Sequence, residues 1–248
     1  MEPAIKRQAL EIDAETMIRE PLLLLPGMMC DGRLFTSQIH AFSAERLITV
    51  GALTGANTIK NLAENILANA PPRFALAGLS MGGICAMEIM RQAPERVTRL
   101  ALLDTNALPD AARLAPMRDE QVRRALAGDL RVVMRDEMKP NYLADGPDKQ
   151  AILDLCMEMA DTLGARVFVD QSQALKTRPD QRETLRNVTV PTLILCGEDD
   201  RLCPLKRHTL MHELVPGSTL TVIKGAGHLP TLEQPEATNE VLHTWLNQ

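Results

Sequence analysis

Aromatic residues are scarce in this sequence: its 248 residues include four Phe, one Tyr and one Trp. Proteins that bind single-stranded nucleic acids stack the bases on aromatic side chains. A dominant excess of basic residues is missing as well, because the formal net charge is −5. Nucleic-acid-binding domains usually carry a basic patch or stripe. We therefore expect no nucleic-acid partner.

Long hydrophobic runs and paired cysteines are also missing. The longest strongly apolar stretch near the N-terminus covers residues 22–25, far fewer than the roughly 20 residues that span a bilayer. Residues 1–20 contain no apolar core of the signal-peptide type. The five cysteines include no Cys-x-x-Cys pair, which is typical of reduced thiols. We expect a cytoplasmic protein without membrane contact; its oligomeric state, monomer or homodimer, stays open.

Short apolar runs alternate along the chain with longer helical patterns. This alternation predicts an α/β protein with a mostly parallel central sheet and helices on both faces. The predicted strands of the first part are residues 22–25, 46–50, 74–78 and 97–103. The predicted helices between them are residues 34–42, 59–68 and 82–91, with Thr58 as a cap of the second.

A block of helical patterns then interrupts the alternation. No strong strand signal occurs between residues 106 and 187, and helices are predicted around residues 118–126, 130–138, 149–163 and 165–175. Strands return at 192–196 and 219–224, with helices at 205–214 and 234–246. We expect a core made of residues 1–105 and 188–248, with residues 106–187 inserted as a helical lid over the carboxyl edge of the sheet.

The motif Gly-Leu-Ser-Met-Gly-Gly, residues 78–83, is the sharpest feature of the sequence. It matches Gly-x-Ser-x-Gly between a predicted strand and a predicted helix. A serine on so tight a turn needs small residues two positions before and after it. The helix that begins near Met81 directs its positive end at the reacting oxygen. Ser80 is therefore the predicted nucleophile; a glycine-rich turn with a serine N-cap is the alternative.

A serine nucleophile needs a base, and five histidines are present. His228 follows the last predicted strand in a Gly-Ala-Gly-His loop, from which an imidazole can reach Ser80. His40 and His243 lie in amphipathic helical patterns and are expected at the surface. His208 and His212 are four residues apart, like half of a metal site, but no third ligand is spaced with them. We predict His228 as the base and expect no metal or organic cofactor.

The acid that orients the base is expected where an earlier strand ends. Glu198, Asp199 and Asp200 follow the predicted strand at residues 192–196, and two of these three carboxylates would only be solvated or cap a helix.

The order Ser, Asp, His, each just past a strand, resembles the α/β-hydrolase family over about residues 22–246. The acid loop of that family commonly reads Gly-x-x-Asp-x-x-x-Pro. Gly197, Asp200 and Pro204 match this pattern, so the resemblance implies Asp200 as the acid. Asp104, at the end of the predicted strand 97–103, lies where some members of the family place their acid. Asp104 and Asp199 therefore remain the alternatives.

The resemblance also implies an oxyanion hole formed by the backbone amides of Met28 and Met81. Members of the family often carry His-Gly where this chain has Pro26-Gly27, which leaves open how that loop is anchored. The family's two leading strands would fall within about the first 20 residues and are expected to be reduced or absent.

The resemblance implies a serine hydrolase that cleaves a small ester, thioester or lactone through an acyl-enzyme. The serine motif is similar to that of 3-oxoadipate enol-lactonases and related carboxylesterases. Three alternatives stay open: a ligand-binding protein or receptor with little turnover, a carbon–carbon bond hydrolase, and a perhydrolase. Arg33 or an arginine of the helical block is a candidate partner for a substrate carboxylate, and simple surface exposure is the alternative for each.

Overall fold

A computed structural model of the chain describes residues 19–248. The predictions made for residues 1–18, that they form no signal peptide and that the leading strands of the sheet are reduced, lie outside the described residues. Among the helices of residues 19–248, none combines the length and the apolar character needed to cross a bilayer.

The strands form one parallel sheet, as the sequence predicts. They are β1 (Arg19–Leu25), β2 (Arg46–Val50), β3 (Phe74–Leu79), β4 (Val97–Leu103), β5 (Thr192–Gly197) and β6 (Thr219–Ile223). Their order is β2-β1-β3-β4-β5-β6, and every neighbouring pair is parallel. The carboxyl ends of the strands therefore meet at one edge of the sheet, where ligand sites of such sheets usually lie.

The helices are α1 (Thr36–Phe42), α2 (Ile59–Asn69), α3 (Met81–Gln92), α4 (Ala115–Arg124), α5 (Leu130–Val132), α6 (Lys149–Lys176), α7 (Arg182–Arg186), α8 (Leu205–Leu214), α9 (Pro230–Glu233) and α10 (Pro235–Leu246). Short 3-10 turns cover Gly32–Phe35, Pro94–Arg96, Ala112–Leu114 and Lys139–Asn141, and π-helical turns cover Ala125–Asp129 and Val133–Met138. Thr58 is the N-cap residue of α2, as predicted, since its hydroxyl accepts a hydrogen bond from the Asn61 amide.

Both faces of the sheet are covered by apolar layers. Along β1, Leu23 and Leu25 join the core on the side of α2 and α3, whereas Leu22 and Leu24 join the core on the side of α1 and α10. Successive side chains of a strand point to opposite faces, so a strand buried on both sides must be apolar throughout. This explains why β3 and the carboxyl-terminal parts of β1 and β4 are continuous apolar runs.

Residues 106–187 contain helices and turns but no strand. The two predicted helical runs at 149–163 and 165–175 meet in α6 at Gly164, whose φ of 76° interrupts the helix. We call residues 106–187 the cap. A buried ion-pair group tightens it, because Asp110 contacts Arg118 at 2.6 Å and Arg178 at 3.3 Å.

Candidate active site

Ser80 lies on a sharp turn between β3 and α3. Its φ of 55° and ψ of −114° are rare for a residue with a side chain, and holding such a conformation costs about 1–3 kcal/mol. A Cβ on Gly78 would overlap the backbone of Gly82 and Gly83, and a Cβ on Gly82 would overlap the Leu25 carbonyl. The predicted need for small residues on both sides of the serine is therefore confirmed.

His228 lies in the loop after β6 and faces Ser80. Its Nε2 is 2.9 Å from the Ser80 Oγ, and its Nδ1 is 2.9 Å from the Asp200 Oδ2. The imidazole is 2% exposed and Asp200 is 5% exposed, so water competes little for the hydrogen bond between them. The Tyr142 ring and the imidazole pack edge to face with 5.4 Å between ring centroids. The His228 amide also donates to the Tyr142 carbonyl at 2.5 Å.

Asp200 is held by hydrogen bonds on both carboxylate oxygens. Oδ1 accepts from the amides of Leu202 at 2.8 Å and Cys203 at 2.9 Å, while Oδ2 faces His228. Burial acts to raise the pKa of Asp200, but His228 and the two amides outweigh it, and the pKa lies below its ordinary value. Asp199 is exposed and does not reach the histidine in the described chain.

Asp104 is fully buried beside Asp200 but binds elsewhere. Its Oδ1 accepts from the Gly197 amide at 2.8 Å, and its Oδ2 has no hydrogen-bond partner within residues 19–248. Burial and the neighbouring charge of Asp200 raise the pKa of Asp104 well above its ordinary value. Two adjacent buried carboxylates rarely both ionise, so Asp104 holds its proton and Asp200 carries the charge.

The loop after β1 lies against the serine. A Cβ on Gly27 would stand 3.5 Å from the Ser80 Cβ, so the residue before Met28 lies next to Ser80. Met81 follows Ser80 directly and is the first residue of α3. The Met29 amide donates to the Gln171 Oε1 at 2.9 Å. Met29 has a φ of 55°. Such a conformation is strained for a residue with a side chain and persists when surrounding contacts hold it.

Gln171 in α6 anchors this loop, which the sequence prediction left open. It is 1% exposed, and its Nε2 donates to the Leu53 carbonyl at 2.9 Å while its Oε1 accepts from Met29. The side-chain amide of Gln171 therefore ties the cap to two loops of the rest of the chain, the one containing Met29 and the one containing Leu53. No local motif identifies Gln171, because its partners are more than one hundred residues away in sequence.

Glu233 supports the histidine loop and was also missed. Its Oε2 accepts from the amides of Gly227 and Ala144, and its Oε1 accepts from the amide of Leu229, all at 2.8 Å. These bonds fix the backbone on both sides of His228 and tie it to the cap. An acidic residue five positions after the histidine, in Gly-His-Leu-Pro-Thr-Leu-Glu, was the signal available in the sequence.

The other histidines have separate roles. His40 and His243 are exposed, as predicted. His208 is buried, its Nε2 accepts from the Thr105 amide at 3.2 Å, and burial lowers its pKa to about 4. His212 instead lies 2.8 Å from the Ser218 hydroxyl through its Nδ1.

Within residues 19–248, one group of side chains brings potential metal ligands together, formed by Asp200, Cys203 and His228 within 4.8 Å of one another. The His228 nitrogen and the Asp200 oxygen are already hydrogen-bonded to each other. Burial also raises the pKa of the Cys203 thiol, and a neutral thiol is a poor metal ligand. The donor set therefore fits a hydrogen-bonded acid and base better than a metal, and the absence of a cofactor stays a prediction.

A sequence profile of the Alpha/beta hydrolase family matches residues 22–241. The chain is 27% identical over 204 residues to the pimeloyl-(acyl-carrier protein) methyl ester esterase of Aliivibrio fischeri, covering 78% of this chain and 77% of that protein. The protein of the same name from Klebsiella pneumoniae is 28% identical over 199 residues, covering 76% and 75%.

Solved structures of hydrolases are similar to this one over most of its length. A thermophilic esterase from Thermogutta terrifontis, determined with malate bound, superposes with a TM-score of 0.84 at 25% identity and covers 93% of this chain and 90% of its own. The enol-lactonase from Burkholderia xenovorans LB400 superposes with a TM-score of 0.82 at 18% identity, covering 93% and 92%.

Proposed function

The chain belongs to the alpha/beta hydrolase family, and on that premise we propose that it hydrolyses a small ester, thioester or lactone through an acyl-enzyme on Ser80. The observation that supports this most is the continuous hydrogen-bonded series from the Ser80 hydroxyl through His228 to Asp200, with 2.9 Å at each step. The relatives named as esterases support an ester as the substrate.

In the proposed first step, the His228 Nε2 takes the proton from the Ser80 hydroxyl as the oxygen attacks the carbonyl carbon. Asp200 stabilises the imidazolium through Nδ1 and fixes its tautomer. The backbone amides of Met28 and Met81 stabilise the negative oxygen that forms. Removing one such donor costs about 3 kcal/mol in other serine hydrolases.

In the second step, His228 gives its proton to the leaving alcohol, thiol or lactone oxygen. A water molecule then enters, loses its proton to the same imidazole, and attacks the acyl-enzyme. The acid product leaves and Ser80 regains its proton. No step requires a group other than residues of this chain, the substrate and water.

We also propose that residues 106–187 act as a lid on the core formed by the rest of the chain. Three hydrogen bonds support this. The Tyr142 carbonyl accepts from the His228 amide, and the Ala144 amide donates to Glu233, which supports the loop around His228. Gln171 accepts from the Met29 amide in the loop after β1. A movement of the cap would therefore disturb the base and the oxyanion donors together.

Replacement of Ser80 tests the proposal. Ser80→Ala is expected to abolish labelling by a fluorophosphonate probe and hydrolysis of 4-nitrophenyl butyrate, because it removes the hydroxyl that lies 2.9 Å from the His228 Nε2. Ser43→Ala is the matched control, since that serine is exposed at the end of α1. Persistent labelling of the Ser80→Ala protein would remove Ser80 from its role. Wild-type protein that releases one equivalent of nitrophenol and then stops would favour the receptor alternative.

A further inference from the structure

Lys139 is a buried cation without an anionic partner in the described chain. It lies in the 3-10 turn Lys139–Asn141 of the cap and is 2% exposed. Within residues 19–248, its Nζ donates a hydrogen bond to no acceptor, and the titratable groups that act on it are Tyr142, Cys30 and Cys156 rather than a carboxylate. Burying an unpaired ammonium costs several kcal/mol, so a counter-charge from outside the chain would be favourable here.

The groups around Lys139 do not supply that charge. Its Nζ lies 4.4 Å from the centroid of the Tyr142 ring, an attraction that offsets part of the cost of burial. Burial raises the pKa of Cys30 and of Tyr142 to about 12 and raises the pKa of Cys156 as well. All three groups are therefore neutral near pH 7.

Lys139 lines a cavity of about 770 Å³ in the cap, a volume typical of small-molecule sites. The walls come from residues 131–139 and from residues 149–161 of α6. Carboxylates are present on these walls, but each cation other than Lys139 already has an acidic partner. These pairs are Arg131 with Asp161, Arg135 with Asp136, and Lys149 with Asp145.

Lys139 and the candidate active site contact the same aromatic side chain. The same Tyr142 ring that contacts the ammonium packs against the His228 imidazole. An anion at Lys139 would therefore lie one aromatic ring away from the base. Arg33, the sequence-based candidate for a substrate carboxylate, is bound instead to Asp31 at 2.6 Å.

We infer that Lys139 binds a carboxylate on the substrate, so that the hydrolase prefers esters whose acyl chain ends in a second acid group. This inference rests on the proposed ester hydrolysis and adds the substrate class to it. A carboxylate suits the site because it is compact, forms a charge-assisted hydrogen bond with an ammonium, and leaves the apolar chain to contact Leu153 and Met157 of the same walls.

The experiment compares ester pairs that differ only in the terminal acid. The pairs are the mono-4-nitrophenyl esters of succinate, glutarate and adipate against 4-nitrophenyl butyrate, pentanoate and hexanoate. We expect wild type to prefer the acidic ester of at least one pair by tenfold or more in kcat/KM. Lys139→Met should reduce that preference 10- to 100-fold, mainly through KM, which is the range for a hydrogen bond to a charged group. Lys139→Arg should retain more of it.

The control is Lys176→Met, which makes the same change in the cap at a lysine paired with Asp119, and it should keep the preference within twofold. Should Lys139→Met fail to fold, inhibition of wild type by adipate and by hexanoate replaces it, with adipate expected to inhibit at tenfold lower concentration. A preference that survives Lys139→Met, or no preference in wild type for any pair, would overturn the inference alone. No turnover of any ester would overturn the proposed function and the inference with it.

Discussion

Asp200 and Asp104 are adjacent buried acids, and replacing each by asparagine separates their roles. In Asp200→Asn, the amides of Leu202 and Cys203 still require an acceptor at the Oδ1 position. The new carbonyl must stay there, so the amide NH₂ faces the His228 Nδ1. That nitrogen then has to be unprotonated, and the histidine carries its proton on Nε2 towards Ser80. A base in this tautomer cannot take the serine proton.

The expected loss is about 10⁴-fold in kcat, the size found when a serine-protease triad is placed in the wrong tautomer, which corresponds to about 5 kcal/mol. Asp104→Asn behaves differently, because Asp104 already holds its proton and its Oδ1 keeps the bond from Gly197. We expect its kcat/KM to stay within tenfold of wild type.

The assay is steady-state hydrolysis of 4-nitrophenyl butyrate, with thermal melting of each variant to verify folding. The reasoning would be refuted if Asp104→Asn lost activity about 10⁴-fold while Asp200→Asn stayed active. Asp199→Asn provides a further control, since Asp199 is exposed and no change is expected.

Two further predictions concern residues around the site. Gln171→Leu keeps a similar volume but removes both hydrogen bonds to the loops, so we expect kcat to fall about 10- to 100-fold with little change in KM. Gln171→Glu keeps the acceptor for the Met29 amide and should lose less activity. Equal losses of kcat in both variants would contradict a positioning role. Burial lowers the pKa of His208 to about 4, below the value of about 6.5 in an unfolded chain. As the pH is lowered, the unfolded state therefore binds the proton first, and the free energy of unfolding falls by up to about 3 kcal/mol between pH 6.5 and pH 4. His208→Gln should lose correspondingly less between pH 7.5 and pH 4.5 in urea titrations, and parallel pH dependence of the two proteins would exclude His208 as the cause.

The local parts of this protein were predictable from the sequence. The strands at residues 46–50 and 97–103 have the predicted bounds, because short runs rich in β-branched and apolar residues between helical patterns favour strands. The turn around Ser80 was equally readable, since its steric requirement is fulfilled by neighbours two positions away.

The choice between the acids was not readable from the residues alone. Asp104 and Asp200 both follow strands, and only their partners in space distinguish them: Gly197 for the first and His228 for the second. The family's loop pattern favoured Asp200, and the observed geometry agrees with that implication while the catalytic role remains a proposal.

The roles of individual cap residues could not be predicted from the sequence. Gln171 and Lys139 look like ordinary polar residues in helical stretches, yet both are buried against the core. Their burial depends on how the cap docks, which is a long-range property that neither periodicity nor composition encodes. The helix predicted at residues 34–42 begins later in the structure, at Thr36, because Asp31 caps the 3-10 turn Gly32–Phe35 that precedes α1.

The most direct measurement is to quench wild-type protein with acid during turnover of 4-nitrophenyl butyrate and to locate the acyl group by peptide mass spectrometry. Trypsin releases residues 74–91, whose only hydroxyl-bearing side chain is Ser80. The account predicts one butyryl group on that peptide, at Ser80. An unmodified peptide, together with continued hydrolysis by Ser80→Ala, would contradict it.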